Sequence, residues 1–236
     1  MRTAPALLAL ALAIPLSAQQ APKPVTTLPK DLDRYVEQAM REFGVPGLAL
    51  AVVKDGKVVL ARGYGVKKLG APDSVDAQTQ FGIASNTKVF TAVALGILVE
   101  QGKLGWDKPV IDYLPWFAMY DPFVTRELTI RDLLVHRSGF GLGAGDLLWW
   151  PASTYDRKEI ARRLRYIKPA TSFRSAYAYD NVLYTVAGEV IETVSGRTWE
   201  DFVQAEILAK VGMTHSTVRH SDAAGVGNVA TTHATV

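Results

Sequence analysis

The chain has 236 residues, with 26 lysines and arginines against 23 aspartates and glutamates, four histidines and no cysteine. A net charge of +3 is small and scattered, so it points to no nucleic-acid or other anionic partner. The missing cysteine excludes disulfides, thiolate zinc sites and a cysteine nucleophile, and 48% hydrophobic content excludes a disordered chain.

The first segment reads as a secretory signal peptide. Met1-Arg2 gives a positive start, residues 4–16 form an apolar run broken only by Pro5 and Pro15, and Ser17-Ala18-Gln19-Gln20-Ala21 offers small residues for cleavage. The run is too short to span a bilayer, and no other window reaches the roughly 18 apolar residues required. The expectation is cleavage between Ser17 and Ala21, a signal segment at 1–21, and a secreted or periplasmic protein without a stable membrane anchor.

In residues 31–43, Leu32, Tyr35, Val36, Ala39, Met40 and Phe43 recur at helical spacing before Gly44. Next, two apolar runs, 48–54 and 57–62, flank Asp55-Gly56. That pattern predicts a tight hairpin, because both turn residues need positive φ. The first arm is apolar on both faces, so helices are expected on both sides of it. Residues 86–101 predict a helix apolar nearly all round, placed at the centre of the molecule. A short helix is expected over 129–135, opened by a capping box of Thr129 and Asp132. Further helices follow at 156–167, 181–194 and 198–210, the last capped by Thr198 with Asp201 three residues on. The basic residues of 157–168 read as a solvated face. Helix, hairpin and then a run of helices give an α+β or mixed α/β order.

The chemistry concentrates in two short motifs. Ser85-Asn86-Thr87-Lys88 opens the apolar helix. At i and i+3 the hydroxyl and the ammonium share one face, and the helix start favours a developing oxyanion. A lysine held among Val89, Phe90 and Ala92 is expected to be desolvated and so able to act as a base for the serine. Taken alone, such a match is more often an N-cap serine with an outward-pointing lysine. Tyr179-Asp180-Asn181 is the second motif. A phenol there can relay a proton and an amide can bind a carbonyl, although alone it is equally a turn and a helix cap. Trp149-Trp150 is a packed loop or a pocket wall. His136 is read as a core or loop hydrogen-bonding histidine. The four histidines lack metal-ligand spacing, so neither a metal nor a cofactor is expected.

Together the two motifs resemble the serine β-lactamase and penicillin-binding-protein superfamily, in its class C β-lactamase, D-aminopeptidase and family VIII esterase branch. Residues 81–88 resemble its nucleophile segment, and 102–110 its next conserved stretch. Leu133-Leu134-Val135-His136-Arg137-Ser138-Gly139 resembles its Leu-Leu-x-His-x-Ser-Gly segment, 179–196 its Tyr-x-Asn helix, and Gly212-Met213 the end of its Pro-Leu-Gly-Met segment. The resemblance implies an antiparallel sheet flanked by helices plus an all-helical subdomain. It makes Ser85 the nucleophile of an acyl-enzyme, Lys88 its base or hydrogen-bond partner, Tyr179 the proton relay and Asn181 a substrate-binding residue. The Ser85 N–H would give half of an oxyanion hole, and the substrate would be a small molecule or peptide with an ester, amide or β-lactam bond. A sensor-type relative that acylates without turnover is the alternative, as is an inactive fragment.

The sequence departs from that pattern in three places. Asp180 stands where serine is frequent, and Lys210-Val211 where Pro-Leu is usual. No Lys/His-Ser/Thr-Gly motif follows Tyr179. The sequence therefore reads as an incomplete domain over 22–236. Residues 22–66 would start the α/β part, and 67–236 would form a mostly helical part with the nucleophile.

Overall fold

The computed structural model describes residues 28–234. The signal-peptide expectation lies outside them. The described residues fall into two compact units, 28–45 and 46–234.

In the first unit, α1 (Leu32–Phe43) follows the predicted bounds closely. Gly44 stops it in the left-handed region at φ 63°, with the Val45 N–H returning to the Met40 carbonyl at 2.8 Å.

The second unit opens with the predicted hairpin. Strands β1 (Gly47–Lys54) and β2 (Lys57–Gly65) pair antiparallel, from Gly47 opposite Gly65 to Lys54 opposite Lys57, with an irregularity between Val52 and Val53. Asp55 and Gly56 have φ of 51° and 71°, the two positive values that the turn needs. Gly63 is fixed by sterics, because a Cβ there would run into the Val75 carbonyl crossing the strand. Cover is lacking at the hairpin tip, where Val53 on β1 and Val58 on β2 are 64% and 67% exposed, whereas Ala49 and Ala51 of β1 line a cavity with Phe90, Trp199 and Val203.

The core lies in the helical part. It joins α2 (Thr87–Glu100), α3 (Pro122–Glu127), α4 (Arg157–Arg163), α5 (Val182–Ser195) and α6 (Trp199–Val203). The central helix is α5, with Val182, Leu183, Val186, Ala187, Val190 and Ile191 all inaccessible. Helix α2, expected at the centre, buries only Thr91, Ala94, Leu95 and Leu98. Its Val89 and Val93 are 61% and 43% exposed. An apolar run shows that a helix can be buried all round, but a covering element has to exist for each face.

The cap predicted at Thr198 forms, accepting from the Asp201 N–H at the head of α6. Asp156, which the sequence reading did not single out as a cap, accepts from the Glu159 N–H at the head of α4. Both helices are shorter than predicted. The first gives way to a 3-10 turn at Leu164–Tyr166, and the second to a π-type turn at Gln204–Leu208. Helix α3 was not foreseen, although Asp121 caps it and Pro122 occupies its first position. A final short helix, α7 (His220–Ala223), was also not foreseen. Beyond it, backbone bonds join Gln80 to Asn228 and Ala230, a single parallel bridge rather than a ladder.

The basic stretch 157–168 is a solvated face only in part: Lys158, Arg162 and Lys168 are exposed, while Arg157, Arg163 and Arg165 are half-buried. Arg157 is paired to Glu192 of α5 and Glu200 of α6, while Gly188 leaves room for its side chain. Arg163 lies over the Tyr155 ring, and Arg165 donates to the Trp116 carbonyl. Packing of α4 against α5 and α6 brings the two glutamates to Arg157.

The Thr129–Asp132 capping box closes reciprocally, and Arg174 then seats on Asp132 with two donors at 2.6 and 3.0 Å. Burial opposes ionisation of Asp132, but Arg174 and Thr129 outweigh it and hold the carboxyl below its ordinary range. Asp132→Ala should therefore destabilise the protein by about 2 kcal/mol, since it strands a guanidinium and the Thr129 hydroxyl. Chemical denaturation of the two proteins checks this.

Candidate active site

Ser85 sits in a 3-10 turn, Ala84–Asn86, that runs directly into α2. Ala84 has φ of 44°, a left-handed value for a residue with a side chain, immediately before Ser85. The turn leaves Ser85 exposed, and one helical step carries Lys88 to the same side.

The second motif arrives from a clasp of two loops. The 136–143 segment holds the backbone at 178–180 through three bonds. Ala178 N–H donates to the His136 carbonyl at 3.0 Å, Asp180 N–H to His136 Nδ1 at 3.2 Å, and Gly143 N–H to the Tyr179 carbonyl at 3.0 Å. The His136 ring stacks on Tyr179 with centroids 4.5 Å apart. Burial first, and then the Lys88 charge, hold the His136 imidazole below its ordinary pKa. His136 is thus a brace for Tyr179 that favours the neutral form, in line with the loop role expected for it.

These elements bring all four sequence-selected residues together. Tyr179 donates its hydroxyl hydrogen to Ser85 Oγ at 2.6 Å, and Lys88 Nζ donates to the same oxygen at 3.1 Å. Lys88 also donates to Asn181 Oδ1 at 2.7 Å. Its surroundings differ from those expected. Val89 points outward, and the aliphatic neighbours are replaced by the Tyr179 and Tyr184 rings, whose centroids lie 4.7 and 5.1 Å from the ammonium. The helix start turns Lys88 toward α5 rather than along the α2 surface. Hydrogen bonding with Lys88, then with Ser85, holds the Tyr179 phenol below its usual range, which eases its ionisation.

Two residues near the site were missed in the sequence. Asp146 accepts from Asn181 Nδ2 at 3.0 Å. Tyr184 anchors its hydroxyl on the Leu134 carbonyl at 3.0 Å while its ring faces Lys88. Tyr184 follows Asn181 by three helical positions, a spacing that was there to be used. Asp146 carries no such signal. Trp149 and Trp150 are not a packed loop. They are 39% and 68% exposed and line, with Ser85, Lys88 and Asn181, an open cleft of about 590 Å³.

Ser85 at the head of α2, bonded by Lys88 and by Tyr179, is thus the centre of the polar cluster in this cleft. The Beta-lactamase family profile matches residues 32–236, and the chain belongs to that family. It is 32% identical over 206 residues to the unguisins hydrolase ungD of Aspergillus violaceofuscus, covering 84% of this chain and 36% of that protein. The penicillin-binding protein homologue from Pyrococcus abyssi, an octamer, superposes with a TM-score of 0.71 at 28% identity, over 85% of this chain and 46% of its own. A class C beta-lactamase gives 0.70 at 23% identity, over 84% and 52%, which shows the fold. The chain spans less than two fifths of the length of the curated relatives it matches.

Asp180, the residue that departs from the family pattern, is wholly buried, and its Oδ1 has no hydrogen-bond partner among the described residues. Burial pushes its carboxyl up from 3.8 to about 6, offset only in part by the Leu183 N–H and the Ser138 hydroxyl. The folded state therefore holds this proton more tightly than the unfolded chain. Stability contributed by protonated Asp180 is lost as pH rises through about 6. Asp180→Asn should raise the melting temperature above that pH, by a free energy of about 2 kcal/mol, and change little below about pH 4. Thermal melts across pH check both the sign and the window.

Proposed function

We propose that this protein is an exported serine hydrolase that acts through a Ser85 acyl-enzyme on a carboxylic ester, amide or β-lactam. The observation that carries the reading is the double approach to Ser85 Oγ, by Tyr179 at 2.6 Å and by Lys88 at 3.1 Å. Tyr179 as phenolate takes the Ser85 proton while Oγ attacks the substrate carbonyl carbon. The tetrahedral oxyanion is met by the Ser85 N–H at the head of the helix. On collapse the bond to the leaving group breaks, and the phenol returns its proton to that group. Water then repeats the sequence on the acyl ester and releases acid and free Ser85. Lys88 keeps the phenolate and the alkoxide in contact with a positive charge, and Asn181 holds Lys88.

The same reading extends to architecture. We propose that the described residues are the nucleophile-bearing part of a longer catalytic domain. The exposed Val53, Val58, Val89 and Val93, and the short coverage of the relatives, support this. The likeness to a penicillin-binding protein homologue also admits a form that acylates and stops. A stoichiometric burst without turnover would mark that form.

The test is covalent labelling with a fluorophosphonate or a labelled penicillin, followed by mapping of the adduct by mass spectrometry. The adduct is expected on Ser85 and absent from Ser85→Ala. Lys88→Ala and Tyr179→Phe should each slow labelling by roughly 10²- to 10⁴-fold. An adduct on another serine with Ser85 unmodified would overturn the reading.

A further inference from the structure

We infer that Asp146 is a positioning residue of this site, one that fixes which way the Asn181 amide faces and through it holds the Lys88 ammonium on Ser85. The inference rests on the acyl-enzyme reading above.

An asparagine amide has two nearly isosteric ends, one accepting and one donating. Lys88 has only donors, so it needs the oxygen end. A carboxylate has only acceptors, so it needs the nitrogen end. Asp146 Oδ2 takes Asn181 Nδ2 at 3.0 Å, while Asn181 Oδ1 takes Lys88 Nζ at 2.7 Å. A flipped amide would set nitrogen against ammonium and oxygen against carboxylate, losing two charge-assisted bonds at once. The chain from Asp146 through Asn181 to Lys88 and Ser85 therefore has one stable polarity.

Asp146 is held for this task. It begins a short 3-10 turn, Asp146–Leu148, entered through Gly145 at φ 85°, where a Cβ would press on Val182 and Ile167 at 3.2 Å. Its N–H donates to the Gly143 carbonyl at 3.1 Å, in the same loop that holds Tyr179. Its second oxygen, Oδ1, is buried with no partner among the described residues. A carboxylate with one oxygen unsatisfied is a poor choice for stability alone. The bond to Asn181 is the return that the geometry shows.

The experiment measures fluorophosphonate acylation of Ser85 in Asp146→Ala, Asn181→Ala and the double variant, each at matched folded fraction. Each single change is expected to slow acylation roughly 10- to 100-fold, and the double variant should be no slower than Asn181→Ala alone. Asp146→Asn, which keeps an acceptor oxygen, should stay within about threefold of the original chain. Additive losses, or an Asp146→Ala variant that acylates at the original rate, overturn the inference. A charge swap decides the matter if Asp146→Ala does not fold. Asn181→Asp should be slow beside Asp146, and Asp146→Asn placed in the same chain should recover most of the rate, whereas no recovery overturns it. The Asn181 side-chain amide resonance is read in parallel by nitrogen-15 NMR. It should shift in Asp146→Ala and stay in place in Tyr179→Phe, and the reverse pattern overturns the inference. If the unaltered chain takes no label on Ser85, the functional reading fails, and the amide resonance alone supports or overturns the role of Asp146.

Discussion

The Lys88 ammonium is the charge around which the site is arranged. It rises from the head of α2, binds Ser85 three positions earlier, and crosses 93 positions of sequence to bind Asn181. Two tyrosine rings lie within about 5 Å of it. A cation in that position lowers the energy of a phenolate at Tyr179 and of an alkoxide at Ser85. Had the helix start been rotated by one residue, the ammonium would have pointed into solvent beside Val89, and Ser85 would have been an ordinary cap.

The support for this charge comes from outside the two motifs. The α5 core places Asn181 and Tyr184 on a helix whose inner face is sealed by apolar contacts. The His136 loop clamps Tyr179 from behind, and the Arg174–Asp132 pair ties the loop ahead of His136 to the segment that leads to Tyr179. The buried Asp180 works in the opposite sense. It lies between the tyrosine and the asparagine of the motif and opposes folding when ionised. Sites of this kind commonly keep a locally unfavourable group that the surrounding fold offsets.

Local features were legible in the sequence, and long-range ones were legible only in part. The Asp55-Gly56 hairpin, the caps at Thr129 and Thr198, and the shared face of Ser85 and Lys88 follow from rules acting over a few residues. The meeting of Ser85 with Tyr179 came from family resemblance, since no periodicity links positions 94 apart. The bracing loops were not legible. They turn on positive φ at His136 and Arg174, residues whose side chains give no hint of it. The burial of α2 was misjudged for a related reason, because Val89 and Val93 report hydrophobicity and not the presence of a neighbour. Arg157 likewise looked like a surface charge until α5 and α6 brought two glutamates to it.

Lys88 eases the ionisation of the Tyr179 phenol beside Ser85. Carbon-13 NMR of the labelled tyrosine ring, followed through a pH titration, reads that property directly. Tyr179 is expected to ionise below the ordinary tyrosine value of about 10 and to return toward it in Lys88→Met. A Tyr179 that titrates at or above the ordinary value, with no response to loss of Lys88, would contradict that role of Lys88.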